Sequence, residues 1–139
     1  MKYIQIKFML LLAFVLLIMG CEKAAVTAKT VEKNSVTNAT AMLVYKSETC
    51  GCCTKWIDHI DASGFKTTFE HPNDLSALKA KLGIDRQYRS CHTGVTQEGY
   101  VFEGHIPAKD IKAFLDNPPR NAKGLAVPGM PMGSPGMEY

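Results

Sequence analysis

No run of basic residues interrupts this sequence. Its 16 Lys and Arg residues are scattered along 139 positions, with a formal net charge of +3, so the electrostatic footprint of a nucleic-acid-binding protein is missing. Internal repeats are missing too. The longest apolar run, Phe8 to Met19, is twelve residues, too short to span a bilayer comfortably. There is no second C-x-x-C knuckle to match the one at Cys50 and Cys53. What remains is the composition of an ordinary globular protein, 46% hydrophobic and 21% charged, long enough for one domain with residues left over at an end.

The surplus is at the start. Lys2 and Lys7 supply a positive beginning, and the twelve-residue apolar run suits a signal-peptide core. Residues 1–20 therefore read as a signal peptide. The run ends Leu17-Ile18-Met19-Gly20-Cys21. A small residue directly before a cysteine resembles a bacterial lipobox, in which Cys21 is lipidated and becomes the first mature residue, although Met19 stands where a small residue is usual. An ordinary signal peptide or an uncleaved anchor is the alternative. Each version exports the remainder to a compartment where disulfides persist. The expected location is the periplasm, lipid-anchored, and the outer membrane in a two-membrane bacterium because Glu22 rather than Asp follows Cys21. Residues 21–40, rich in Ala, Thr, Lys, Asn and Ser, form a flexible tether to the membrane.

Residues 41–139 carry the ordered pattern. Ala41 to Tyr45 is a short apolar run and predicts a buried strand. A helix is expected from Cys52 or Cys53, with Trp56, Ile57 and Ile60 on its apolar face and Gly64 as its stop. Phe65 to Phe69 reads as a strand. Asp74 is the N-cap of a helix over Leu75 to Leu82, and Gly83 ends it. After an irregular segment, Cys91 and His92 open a strand through Val95. A turn at Gln97-Glu98-Gly99 leads into a strand at Tyr100-Val101-Phe102. Pro107 suits the first position of a last helix, whose inner face is Ile111, Phe114 and Leu115. The tail from Lys123, with three prolines and four glycines and no period, is expected to wrap as a loop. The order β-α-β-α-β-β-α, with a cysteine motif at the first helix start and a late antiparallel hairpin, is the plan of an α/β, thioredoxin-like fold with a mixed central sheet.

Thr49-Cys50-Gly51-Cys52-Cys53 is the sharpest chemical signal. Cys50 and Cys53 have the spacing of redox thiols and of metal sites. At a helix start, free N–H groups and the positive dipole end favour thiolate, the form that attacks disulfides and ligates metal. A third thiol, Cys52, would compete for pairing in a simple oxidoreductase but suits a polythiolate metal site. In the thioredoxin plan the loop entering the third strand faces this motif, so Cys91 can bring a fourth thiol. Cys91 could instead form a bridge to the first helix, closing a loop of about 40 residues worth roughly 4 kcal/mol. In an oxidising compartment the apo protein is expected to hold two disulfides among the four cysteines, with Cys52–Cys53 the least favoured pair because adjacent residues strain the bridge.

His92 is a candidate ligand or a partner to one, set against a polar loop residue; His105, near the end of the hairpin, is a candidate for the same site. His59 and His71 read as surface residues. Met130, Met132 and Met137 crowd the last ten positions, either as soft thioether ligands or as gap fillers. A Cys₄ or Cys₃His set also suits zinc, but softness, export and nearby methionines favour copper(I).

Tyr45-Lys46-Ser47 before Thr49-Cys50-Gly51-Cys52-Cys53 and Trp56 resembles the opening motif of a known family. Ser90-Cys91-His92-Thr93, Gly99-Tyr100-Val101, Glu103-Gly104-His105-Ile106-Pro107, Gly124 to Pro131 and Gly133 to Glu138 are similar to its later blocks. This is the family of CopG-type periplasmic copper proteins, long catalogued as a domain of unknown function. The resemblance covers Met42 to Glu138. It implies a thioredoxin-like fold, copper resistance, Cu(I) held by Cys50, Cys52, Cys53 and Cys91, and interconversion of Cu(I) and Cu(II). His92, His105, Met130, Met132 and Met137 carry over as site candidates, and other periplasmic copper-handling proteins are the expected partners. The alternative activity is thiol–disulfide exchange by Cys50 and Cys53 on protein substrates. A disulfide-stapled binding module is the third reading.

Overall fold

Met42, Val44 and Lys46 point inward along strand β1 (Ala41–Lys46), while Ala41, Leu43 and Tyr45 are half-exposed. That alternation sets the sheet on one side of the core. The computed structural model describes residues 39–138; the expected signal peptide, Cys21 and the expected tether up to residue 38 lie outside the described residues. Helix α1 (Gly51–Ala62) follows β1 and buries Cys53, Trp56, Ile57 and Ile60, an i, i+3, i+4, i+7 stripe. It starts at Gly51, one residue before the expected start, with Cys50 as its N-cap. Gly64, at φ 91°, closes it. The Gly64 N–H donates to Asp61 O and the Phe65 N–H to Ile60 O, the paired bonds of a Schellman stop.

Strand β2 (Lys66–Glu70) runs parallel to β1, with Ala41 beside Lys66. Helix α2 (Leu75–Lys81) is capped as its sequence predicts: Asp74 Oδ1 accepts the Ala77 N–H at 2.8 Å. A short 3₁₀ turn, Arg86–Tyr88, occupies the segment that has no period. Strand β3 (His92–Thr96) pairs antiparallel with β1, His92 beside Lys46, and strand β4 (Val101–Glu103) pairs antiparallel with β3. Helix α3 (Ala108–Asp116) follows, with Pro107 at its N-cap rather than at its first helical position. Ile111 and Phe114 are buried on its inner face.

The tail corrects the expectation of a plain loop. Gly124–Ala126 forms strand β5, parallel to β4, and completes a sheet of order β2-β1-β3-β4-β5. Three residues opening on glycine are too few to display a strand period, so only the pairing with β4 reveals it. Parallel β1–β2, antiparallel β1–β3–β4 and helices α1 and α3 make the domain thioredoxin-like. The core consists of Met42, Val44, Trp56, Ile60, Phe102, Ile106 and Ile111, with Phe102 and Phe114 edge to face at 5.6 Å.

Candidate metal centre

The turn between β1 and α1 is tied from below by a buried lysine. Lys46 Nζ donates to the carbonyls of Ser47 and Glu48 at 3.0 and 3.4 Å. The Cys50 N–H closes the turn onto Ser47 O at 3.2 Å. Cys50 then caps α1, no acidic residue occupies the helix's first turn, and the positive end of the helix dipole is left to the cysteines. Cys53 is fully buried; Cys50 and Cys52 are half-buried.

Because β3 lies antiparallel to β1 with His92 opposite Lys46, the residue before β3 arrives beside the helix start. The ligating sulfurs of Cys50, Cys52, Cys53 and Cys91 all lie within 4.8 Å of one another. Cys50 and Cys53 form a disulfide, Cys52 and Cys91 are free, and Cys50 Sγ lies 3.5 Å from Cys52 Sγ. One bridge therefore stands where two were expected. The second pair, Cys52 and Cys91, is close but unjoined.

A second group shares Cys91. The sulfur of Cys91 and the ring nitrogens of His92 and His105 are also within 4.8 Å of one another. Cys91 Sγ is 3.4 Å from His92 Nδ1 and 3.1 Å from His105 Nε2. His105 Nδ1 donates to Pro135 O at 2.8 Å. A carbonyl only accepts, so the neutral ring carries its proton on Nδ1 and turns the Nε2 lone pair to Cys91. His92 is fully buried, its ring 4.2 Å from that of Trp56 and 4.8 Å from that of His105. Trp56 is itself fixed by its indole N–H donating to Ile106 O at 2.8 Å. His92 turns Nδ1 toward Cys91, and among the described residues its buried Nε2 has no hydrogen-bond partner, a costly state for a polar atom.

Burial sets the charge states. It pushes the Cys91 thiol up to about 11, with the neighbouring Cys52 adding to the shift, so near neutral pH Cys91 carries its proton until a metal displaces it. Burial lowers His92 to about 3, helped by His105 and Lys79 and partly offset by the Gly104 backbone. Below its ordinary 6.5 the unfolded chain takes up a proton at His92 that the folded chain refuses. Stability from this residue is complete above pH 6.5 and is lost as pH falls toward 3. Urea unfolding of the metal-free protein at pH 7 and pH 4 should show a loss of roughly 3 kcal/mol from this group. A His92→Gln variant should lose less between the two pH values; an equal loss would show that other groups carry the acid sensitivity.

The sequence reading missed the pair that holds the Cys91 loop. Lys79, on α2, and Glu103, at the end of β4, form a buried ion pair at 4% and 1% side-chain exposure. Lys79 also donates to Ser90 O at 2.9 Å; Glu103 accepts the Ser90 N–H at 2.6 Å and the Thr93 hydroxyl at 2.6 Å. Both backbone groups of the residue before Cys91 are thus held by one ion pair. The only sequence trace was Glu103 beside Gly104, whose φ of 81° turns the chain so that His105 reaches Cys91. A Cβ there would sit 2.5 Å from Val127 O.

Of the two other histidines, one departs from expectation. His59 is half-buried, and its Nε2 accepts the Ala108 N–H at 3.1 Å, joining α1 to α3. His71 is exposed as expected but bonds through Nδ1 to Lys46 O at 3.0 Å. Among the tail methionines, Met137 is buried at 8% exposure, whereas Met130 and Met132 are exposed at 53% and 82%.

A family described as "Protein of unknown function, DUF411" matches residues 88–137, the stretch holding Cys91, His92, His105 and the tail. No curated protein matches the chain. Two solved structures of copper resistance protein CopG, Form 1 and Form 2, are each 46% identical to this chain and cover 73% of it, while it covers 78% and 79% of them, with TM-scores of 0.67 and 0.68. With that identity over most of both chains, and with the same fold, this chain belongs to the CopG family of copper resistance proteins.

Proposed function

We propose that the protein binds copper as Cu(I) through Cys50, Cys52, Cys53 and Cys91, with His92 and His105 beside them, and that it interconverts Cu(I) and Cu(II). The observation that carries this reading is the convergence of four sulfurs from two distant segments within 4.8 Å. Thiolates are soft donors that select Cu(I), and sulfurs this close can bridge more than one ion. The two imidazoles on Cys91 suit Cu(II) better than thioether does, so one cluster offers donors for both oxidation states. The redox accounting closes within the site. When reduced Cys50 and Cys53 join, two thiols release two electrons and two protons, and those electrons convert two Cu(II) to two Cu(I). An external thiol or a protein dithiol must reopen the bridge. Copper resistance, export to the periplasm and anchoring through Cys21 belong to the same reading.

Anaerobic titration of the reduced chain with Cu(I), read by native mass spectrometry and repeated with Zn(II) as competitor, tests it. Cu(I) should bind and resist displacement by zinc, and the protein with Cys50–Cys53 closed should bind less. Stable zinc loading that Cu(I) does not displace would overturn the reading.

Thiol–disulfide exchange is the second reading. It is favoured by the Cys50–Cys53 bridge at a helix start with Cys50 half-exposed and Cys53 buried. Rapid reduction of the bridge with turnover on a disulfide-bonded protein substrate, unaffected by copper, would favour it.

A further inference from the structure

Met130 and Met132 are two of the large apolar side chains left in solvent among the described residues, at 53% and 82% exposure. Core packing accounts for neither. Their stretch of chain is nonetheless pinned to the metal centre on both sides. Upstream, Gly129 O accepts the Ser90 hydroxyl, and the Gly129 N–H reaches Arg89 O at 3.5 Å; these residues directly precede Cys91. Downstream, Pro135 O accepts the His105 Nδ1–H at 2.8 Å. Gly136 packs so tightly on α1 that a Cβ would lie 2.7 Å from Cys52 O. Between the pins, Pro131 O accepts the Ser134 N–H at 3.2 Å and its hydroxyl at 2.6 Å. Met132 is the second residue of that turn and Gly133, at φ 81°, the third, as a type II turn requires. The turn thus fixes Met132 at a corner facing water, two residues from Met130.

We propose that Met130 and Met132 form a surface site that captures Cu(I) and passes it to the thiol cluster beside it, an inference that rests on the copper reading above. Thioether sulfur is a soft, neutral donor. It takes Cu(I) without displacing a proton, whereas each thiol must lose one to ligate. A thioether pair is therefore the weaker and more readily loaded site. In the transfer, Cu(I)–thioether bonds break, Cu(I)–thiolate bonds form, and each thiol engaged gives its proton to solvent. No electron moves.

The test uses the full chain, reduced and anaerobic, labelled at the methionine methyl carbons, with Cu(I) supplied as its acetonitrile complex. With the thiol site already filled, further Cu(I) should shift the methyl resonances of Met130 and Met132 and leave that of buried Met42 in place. Met130→Leu/Met132→Leu, which keeps apolar volume and removes both sulfurs, should fill the thiols to the same final stoichiometry but about tenfold more slowly in stopped flow. Unmoved Met130 and Met132 methyls, or an unchanged filling rate in the double variant, would overturn the capture site. Failure of the copper reading looks different: the wild type would keep its full titre of free thiols with Cu(I) present.

Discussion

Replacing Cys91 by serine is expected to lower Cu(I) affinity by at least about 10- to 100-fold, or to remove bound copper from the complex, while leaving the reduced fold intact. The loss should reach the scale seen when a group merely supporting a ligand is removed, because Cys91 is a member of both donor groups, the four sulfurs and the Cys91–His92–His105 set. The fold should survive because Cys91 is half-exposed, stands outside the hydrophobic core and is not in the disulfide. Circular dichroism under reducing conditions checks the fold; competition with a Cu(I) chelator measures the affinity. His92→Ala separates the two roles, keeping most Cu(I) binding and weakening retention of Cu(II) after oxidation. Since His92 is fully buried against Trp56, His92→Gln is the companion variant that avoids a cavity. Unchanged Cu(I) stoichiometry and affinity in Cys91→Ser would make Cys91 a structural cysteine and end the four-thiol picture.

Lys79→Met should be the most destabilising single substitution near the centre, at about 3–5 kcal/mol in urea unfolding of the reduced protein. It leaves Glu103 charged at 1% side-chain exposure without its cation. Its two remaining donors, the Ser90 N–H and the Thr93 hydroxyl, do not replace a counter-charge. Adding Glu103→Gln removes the stranded charge while keeping an acceptor for those donors, so the double variant should recover much of the loss. Both variants should also bind Cu(I) less tightly than wild type, because Ser90 is held through this pair and Cys91 follows it directly. A Lys79→Met protein of wild-type stability would show that the pair does not anchor the loop. A double variant as unstable as the single would show that lost packing, rather than stranded charge, is responsible.

The division between what was legible in the chain and what was not follows the range of the interactions involved. A short apolar run placed β1, helical spacing placed α1, and the turn residues Gln97-Glu98-Gly99 placed the hairpin, because apolar runs, side-chain periods and turn chemistry are local properties. Asp74 and Gly83 marked the limits of α2 for the same reason: caps act within one turn. Cys91 could be brought to the cysteine motif from topology alone, since an antiparallel β3 beside β1 must begin where α1 begins.

Disulfide pairing was a different matter. Four sulfurs within 4.8 Å are competent for several pairings, and which one forms depends on Cβ directions that only the folded backbone sets. Strand β5 exists only because β4 offers it an edge. The burial of His105 depends on a positive φ at Gly104 and on a carbonyl 30 residues further along, at Pro135. In the sequence Lys79 carries no signal of its own, and Glu103 stands out only as the first residue of the Glu103-Gly104-His105-Ile106-Pro107 block. A lysine on a helix and a glutamate on a strand, 24 residues apart, become the support of the Cys91 loop only when tertiary packing removes water from both, and the energy of a charge is set by its surroundings rather than by its neighbours in the chain.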